Sequence, residues 1–305
     1  MNTVLQPTPI KVERRFPLDL HQSDTATRQL YETAKVARWE PDTAVPWKDF
    51  NPSAFQPEDL TAARHVWSRR AWIESGGLSE TPALLIRFCL ELDREADPKY
   101  FLSVRNTEEA WHLECFHRYA EACGGYLERP ANPAWEPLFN RRLYRDALHA
   151  EMAIDDYVVT HCAFVDGLEY ELAQAWLANT REPVARALLE HCVADRERHA
   201  KFGWLYAARR AAGLSAEQRA GVGDSLARHI ETVEFAGYNC VALGSKFDVA
   251  PDVEDLRRVS DSGLGGVTAT AEVEVFTRYL ASVRARLAEL GCALPGLRHP
   301  ALGPM

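Results

Sequence analysis

Several features that would point to a membrane or nucleic-acid protein are missing from this chain of 305 residues. No apolar run approaches the roughly 20 residues that a membrane-spanning helix needs. The segment from Met1 to Arg15 lacks the apolar core of a signal peptide. Basic residues never form a long block and the net charge is −9, so there is no electrostatic footprint for nucleic acid. These absences predict a cytoplasmic protein that binds neither membrane nor nucleic acid.

Paired cysteines and nucleotide-binding loops are missing as well. The seven cysteines are odd in number, scattered and never arranged as CxxC. This pattern predicts reduced thiols in a cytoplasmic protein instead of disulfides or a zinc site. The glycine-rich segment 263–266 has no preceding strand, so a nucleotide loop is not expected there. No flavin or nicotinamide motif is present either.

Between residues 56 and 291, the sequence contains residues that typically start or end helices, at regular intervals. Proline near helix starts and glycine near helix ends predict six long helices. Their expected bounds are Pro57 to Gly76-Gly77, Asp97-Pro98 to Gly124-Gly125, about Asn140 to Thr180, Pro183 to Gly213, about Ser215 to Ala242, and about Thr268 to Gly291. No stretch shows convincing strand alternation. The sequence thus predicts an all-α bundle as a single domain (56–291), with an extended N-terminal arm (1–55) and a short tail (292–305).

Two of these helices carry a carboxylate and a histidine at helical spacing. Glu109 and His112 are three residues apart, so their side chains share one helical face. Asp195 and His199 repeat the pattern one turn apart, about 85 residues later. Asp166 lies about as many residues before the turn near residue 181 as Asp195 and His199 lie after it. These three residues are therefore expected at one level, in the middle of the bundle. Carboxylate oxygens and imidazole nitrogens at one level suit iron or manganese.

These segments resemble a known family. Residues 97–98, 107–112 and 118–119 are similar to the second ligand helix of the ferritin-like di-iron carboxylate enzymes, which include the acyl-carrier-protein desaturases and the arylamine N-oxygenases. Residues 194–199 resemble the fourth helix of these enzymes, and residues 164–167 resemble the third. The resemblance covers roughly residues 60 to 210. It implies a ferritin-like helical bundle, here with extra C-terminal helices, that binds iron between four helices.

The resemblance also implies a set of metal ligands. They are Glu80, Glu109, His112, Asp166, Asp195 and His199, with Glu74, His191 and Arg196 as further candidates for a ligand or a neighbour of one. Glu80 is chosen because Ser79-Glu80-Thr81-Pro82 resembles the desaturase segment in which the ligand glutamate shortly precedes a proline. Glu74 and Glu91 remain alternatives, since Pro82 argues against a straight helix at Glu80. Asp195 also matches the family's aspartate that orients a ligand histidine.

Arg196 stands where the fourth helix of these enzymes carries a metal-ligating glutamate. A guanidinium cannot bind a metal and stays protonated. One outcome is that Asp195 replaces the missing ligand, with His191 one turn further back on the same stripe as His199. A second is that one metal position is lost, and a third is that the site binds no metal and Arg196 pairs with its carboxylates. The first is favoured, because His199 and Asp166 would otherwise be an unexplained polar pair in the core.

The functional prediction follows from the resemblance. The chain is expected to be a non-haem iron oxygenase or oxidase that holds two ions or one, with manganese as the alternative metal. It would activate O2 to oxidise a small organic molecule, which is an amine, an amino acid or a carrier-bound acyl group. Electrons would come from a separate ferredoxin or reductase, and the chain is expected to form a homodimer. The competing hypotheses are a metal-depleted scaffold or binding protein and a metal-handling protein.

Overall fold

A computed structural model describes residues 25–91, 96–149 and 152–305. Its α-helices are α1 (Thr25–Val36), α2 (Pro41–Ala44), α3 (Pro57–Leu90), α4 (Asp97–Ala122), α5 (Glu136–Phe139), α6 (Tyr144–Leu148), α7 (Ile154–Tyr157), α8 (Asp166–Asn179), α9 (Pro183–Ala211), α10 (Ala216–Thr232), α11 (Ala250–Ser262) and α12 (Ala269–Glu289). A π-helix, Val158–Val165, joins α7 to α8. Single 3-10 turns are formed by Trp47–Asp49, Pro52–Ala54, Pro133–Trp135, Glu234–Ala236 and Val241–Leu243.

Four long helices frame the centre of the molecule, and the predicted ferritin-like all-α bundle is confirmed. Helix α3 packs along α4, while α9 packs along α8 and the π-helix. Helix α11 covers α3, and α12 lies against α8. Among the described residues, the only strands are Arg298–His299 and Gly303–Pro304, an antiparallel pair in the tail. No helix in the described ranges is both long and apolar enough to cross a membrane.

Helix α3 continues through Gly76 and Gly77, so the prediction that it ends there is wrong. The reason lies in the neighbouring helix, because a Cβ on Gly77 would come within 2.9 Å of the Glu109 carboxylate. The glycine therefore allows a close approach of side chain to backbone instead of capping a helix. Pro82 is also accommodated inside α3. The result is one long helix that carries both Glu74 and Glu80.

The predicted third helix, residues 140–180, is divided into separate helices. The long regular part begins at Ile154 and passes through the π-helix before it becomes α8. The π segment lies against Gly203 of α9, where a Cβ would come within 2.1 Å of the Cys162 backbone. The hydroxyl of Tyr279 donates a 2.8 Å hydrogen bond to the carbonyl of Ala163 within the same segment. A π turn leaves backbone carbonyls in an irregular register, and this hydrogen bond satisfies one of them.

The predicted arm contains a helix that the sequence patterns did not reveal. Residues 1–24 lie outside the described residues. Helix α1 packs against α4 and α9, and Trp39, in the connection from α1 to α2, is buried. Helix α11 was also missed, because no helix was predicted between about Ala242 and Thr268. At the other end of the chain, Leu294 and Leu297 of the tail are buried.

Candidate active site

Five of the six predicted ligands come from three of the framing helices, and the sixth, Glu80, belongs to α3. Glu109 and His112 belong to α4, Asp166 is the first residue of α8, and Asp195 and His199 belong to α9. All five side chains are buried. Burial of this many ionisable groups is costly unless each has partners. The contacts between them therefore define what the site can do.

The imidazole of His112 is held from both sides. Its Nδ1 lies 3.0 Å from Oε1 of Glu74, and its Nε2 lies 3.1 Å from Oδ2 of Asp195. The same Asp195 oxygen accepts a 2.8 Å hydrogen bond from the indole N–H of Trp39. Burial lowers the pKa of His112, but Cys192 and the two carboxylates outweigh it and raise this pKa well above its ordinary value. Asp195 thus orients the His112 ring through its Nε2. These contacts do not support the favoured prediction that Asp195 replaces a metal ligand.

Glu74, and not Glu80, is the α3 carboxylate that contacts His112. Glu80 comes six residues later and lines a small void together with Glu74 and Glu109, but it does not contact His112. Its Oε2 lies 3.5 Å from Nδ1 of His161. Glu91 follows the last residue of α3. Of the three candidates, Glu74 is therefore the one in contact with His112, while Glu80 borders the same void.

Arg196 is buried between two carboxylates. One of its terminal nitrogens lies 2.5 Å from Oε2 of Glu74, and the other lies 3.2 Å from Oε2 of Glu169. Burial lowers the pKa of the guanidinium, but these two carboxylates raise it above its ordinary value, so Arg196 stays charged. A positive charge thus occupies the position at which the resemblance implies a metal-ligating glutamate.

A second buried guanidinium, that of Arg105, joins the other two predicted carboxylates. Its Nη2 lies 3.1 Å from Oε1 of Glu109 and 2.7 Å from Oδ1 of Asp166. The hydroxyl of Thr81 donates a 3.0 Å hydrogen bond to the same Glu109 oxygen. The second oxygens, Oε2 of Glu109 and Oδ2 of Asp166, are buried and accept no hydrogen bond from any described residue. Burial raises the pKa of both carboxyl groups despite the opposing charge of Arg105.

His199 is oriented by Glu108. Its Nε2 lies 2.8 Å from Oε2 of Glu108, whose other oxygen accepts a 2.5 Å hydrogen bond from Arg198. Burial and the surrounding positive charges of Arg105, His112 and others lower the pKa of His199 well below its ordinary value. A neutral ring that donates from Nε2 keeps the lone pair on Nδ1. His199 can therefore act as a nitrogen donor.

His191 lies against Trp39. The two ring centroids are 4.6 Å apart and the ring planes differ by 13°, which is a stacked arrangement. His191 thus packs on the same indole that donates to Asp195. This contact gives His191 a role in holding Trp39, and it lends no support to metal binding.

A second polar cluster adjoins the site and was not predicted. The rings of His161 and His229 have centroids 5.1 Å apart, and Nε2 of His229 lies 3.3 Å from Oε1 of Glu234. Tyr157 stacks on His161 at 4.2 Å. Through the contact between His161 and Glu80, this cluster continues into the predicted site. Burial raises the pKa of Glu80, but His161 outweighs it and lowers this pKa below its ordinary value.

The site contains the types of side chain that bind a metal ion, but they are not arranged around a single metal position. Among the described residues, no three His, Cys, Asp or Glu side chains are arranged to coordinate a single ion. Two guanidiniums instead compensate four carboxylates. However, the unpartnered oxygens of Glu109 and Asp166 and the lone pair of His199 are the donors that iron and manganese prefer. These donors suit iron or manganese in type, and Arg196 stands where the resemblance implies a further ligand.

A cavity of about 400 Å³ lies beside these charged groups. Its walls include Arg196 and Glu169, and it shares Glu169 and Ile73 with a void of about 40 Å³ that Glu74, Glu109 and Asp166 line. Further apolar walls are formed by Trp72, Leu127, Trp135, Trp176, Val241 and Leu256. Cavities of this size and lining are typical of small-molecule sites. A bound molecule would therefore touch the side chains of the candidate site directly.

Comparisons with known proteins agree on the fold. No family model and no curated protein matches the chain. Among solved structures, it is similar to an R2-like ligand-binding oxidase with an aerobically reconstituted metal cofactor after photoconversion, at a TM-score of 0.67 and 15% identity, over 86% of this chain and 93% of that chain. A variant with an Fe/Fe cofactor has a TM-score of 0.63 at 15% identity, over 87% and 93%. The enzyme from Sulfolobus acidocaldarius has a TM-score of 0.58 at 15% identity, over 84% and 91%.

Four residues of the site were not found by sequence reasoning. Glu169 lies three residues after Asp166 and Arg105 lies four residues before Glu109, so both share a helical face with a predicted residue. A search one turn to either side of each motif would have found them. Trp39 offers no comparable signal, because 156 positions separate it from Asp195. Glu108 was part of the motif, but its role depends on the packing of α4 against α9.

Proposed function

We propose that this protein is a metal-dependent oxidase of a small organic molecule. The observation that best supports this proposal is that Glu169 lines both the cavity and the void. The void is the one that contains the unpartnered carboxylate oxygens. A substrate in the cavity would thus lie next to the donor atoms. The fold is that of oxidases that carry Mn/Fe or Fe/Fe cofactors, which supports the choice of reaction class.

Glu109, Asp166 and His199 would hold the ion, and His112 would add a nitrogen donor only after losing the proton that its carboxylate neighbours favour. A bound iron or manganese ion would supply the electron transfer to O2 that organic side chains lack. The surrounding residues have separate tasks. Asp195 and Glu108 orient the two histidines, and Arg196 keeps a fixed positive charge at the wall of the cavity. In this proposal one ion is bound, and Arg196 supplies charge in place of a second.

The substrate would be bound among the tryptophans of the cavity. An amine, an amino acid and a carrier-bound acyl group all remain candidates at this level. A separate ferredoxin or reductase as electron donor, a homodimer and a cytoplasmic location stay predictions.

A metal-free binding protein is the second candidate, because Arg105 and Arg196 already neutralise part of the buried negative charge. Metal analysis separates the two functions. Protein produced with iron or manganese is expected to contain about one ion per chain and to consume O2 with a reductant. Chains without tightly bound metal and without O2 uptake would establish the metal-free alternative, and two ions per chain would show that Arg196 leaves room for the second.

The variants Glu109→Ala and His112→Ala are expected to lose the metal and the O2 uptake while the helical circular dichroism stays unchanged. The physical reason is that removal of a ligand removes tightly held metal. Glu114→Ala is the matched control, since Glu114 is exposed on the same helix α4. Full metal content in both site variants would place the ion elsewhere.

A further inference from the structure

Two oppositely charged side chains face the large cavity without being paired to each other. Arg70 and Glu272 are 5% and 3% exposed, and both line the cavity. No ion pair joins them, although each is the charge that most influences the other's pKa. Buried opposite charges normally meet in a salt bridge, because an uncompensated buried charge is costly. A gap between them therefore needs an explanation.

Each of the two groups keeps one polar atom without a partner. Arg70 donates a 2.6 Å hydrogen bond from Nη1 to the carbonyl of Gly265, but its Nη2 has no partner among the described residues. Glu272 accepts a 3.3 Å hydrogen bond at Oε1 from the indole of Trp176, while its Oε2 has none. Burial lowers the pKa of Arg70 to about 9 and raises that of Glu272 to about 7. An unused donor and an unused acceptor thus border one cavity.

Trp176 fixes both groups in place. The guanidinium carbon of Arg70 lies 3.8 Å from the centroid of the Trp176 ring, and the same indole donates to Glu272. Trp67 holds Arg70 at a second ring, 4.5 Å from its centroid. A guanidinium held on two aromatic faces loses little further freedom when it binds an anion. The charges are therefore preorganised for a ligand.

We propose that the cavity binds an apolar α-amino acid, whose carboxylate accepts from Nη2 of Arg70 and whose ammonium donates to Oε2 of Glu272. An α-amino acid carries the two complementary charges on one carbon, so it can bridge a gap between an arginine and a glutamate. Its side chain would occupy the part of the cavity lined by Trp72, Trp135 and Ile73. As a substrate, this ligand rests on the proposed oxidase function; as a ligand of the cavity, it does not.

Binding to the purified protein tests the proposal by calorimetry. The probes are L-phenylalanine, L-leucine and L-tryptophan, each beside its counterpart without the amine and its counterpart without the carboxylate. At least one amino acid is expected to bind at least about tenfold more tightly than either of its counterparts, because each charged group adds a charge-assisted hydrogen bond. If none of the three does so, Arg70 and Glu272 hold ordered water instead and the proposal is overturned.

Two variants assign the charges. In Arg70→Gln, the amino acid is expected to bind no more tightly than its counterpart without the carboxylate, whose own affinity stays unchanged. In Glu272→Gln, the amino acid is expected to bind no more tightly than its counterpart without the amine, whose own affinity stays unchanged. Arg186→Gln is the matched control, because Arg186 is an exposed arginine paired with Glu190. Loss of all binding in both variants with altered unfolding would mean a structural role, in which case the comparison of probes on the wild-type protein decides.

The outcomes also separate this inference from the oxidase proposal. Amino-acid binding without O2 uptake would leave the inference intact and refute the oxidase. O2 uptake with molecules that lack one of the two charges, and without any preference for amino acids, would support the oxidase and refute the amino-acid inference.

Discussion

The indole N–H of Trp39 and the imidazole of His112 meet at one oxygen, Oδ2 of Asp195. The other oxygen of Asp195 is bonded to Arg198. Both oxygens of the Asp195 carboxylate therefore have protein partners. This arrangement ties the segment after α1 to the centre of the bundle.

Asp195→Asn distinguishes an orienting carboxylate from a metal ligand. We expect the variant to keep its metal, because an amide oxygen still accepts from His112 and Trp39. Its unfolding free energy should fall by about 1–3 kcal/mol, since the amide nitrogen cannot accept from Arg198. Metal analysis and urea unfolding measure the two effects. A loss of metal as complete as in Glu109→Ala would make Asp195 a ligand after all.

Arg196→Ala tests the charge compensation at Glu74 and Glu169. Both carboxylates would lose a buried partner, so we expect the unfolding free energy to decrease by about 3–5 kcal/mol when a chelator keeps metal away. The control is Arg186→Ala, whose exposed ion pair should contribute less than about 1 kcal/mol. Equal, small effects of the two substitutions would show that Arg196 compensates nothing in the folded protein.

Gly203→Ala tests the contact between α9 and the π-helix. The added Cβ would lie 2.1 Å from backbone atoms of Cys162, which cannot move away as a flexible side chain can. We expect a loss of at least about 1–3 kcal/mol in thermal or urea unfolding. Gly213→Ala is the matched control, because its Cβ would meet only a carbonyl oxygen at 3.6 Å. Comparable stabilities of the two variants would contradict the close approach.

Glu272 predicts a pH dependence of stability. Burial raises its pKa from 4.5 to about 7, so the folded protein binds this proton more tightly than the unfolded chain. The unfolding free energy should therefore fall as the pH rises from about 4.5 through about 7, by about 3 kcal/mol from this group. Urea unfolding across this range should show the decrease in the wild type and in Glu274→Gln, which changes an exposed residue of the same helix. A decrease of the same size in Glu272→Gln would assign it to other groups.

The long helices could be predicted from the sequence because proline, glycine and capping residues act locally. The prediction ended α3 at Gly76-Gly77, since the contact that requires Gly77 is made by Glu109 of another helix. Helix α1 was missed for a similar reason, as its position depends on packing against α4 and α9. Local signals thus located the main helices, and tertiary contacts decided the exceptions.

The candidate site divides in the same way. Helical spacing identified Glu109, His112, Asp195 and His199, and the resemblance added Asp166. All five side chains are buried. Glu74 contacts His112 and Glu80 contacts His161, and a motif does not contain these tertiary contacts. The partners of Arg196 are equally inaccessible to sequence reasoning, because Glu74 is 122 positions away.

The π-helix at Val158–Val165 sets the angular register of everything that follows it. A π turn contains more residues than an α turn, so each residue rotates the helix by a smaller angle. Removal of one residue from an α-helix rotates the downstream part by about 100°. Shortening this segment by a single residue would thus turn both Asp166 and Glu169 away from Arg105 and Arg196, although every residue of the charged cluster would still be present. A wide helical turn eight residues long, and not only the identity of its acids, determines which way this side of the cluster faces.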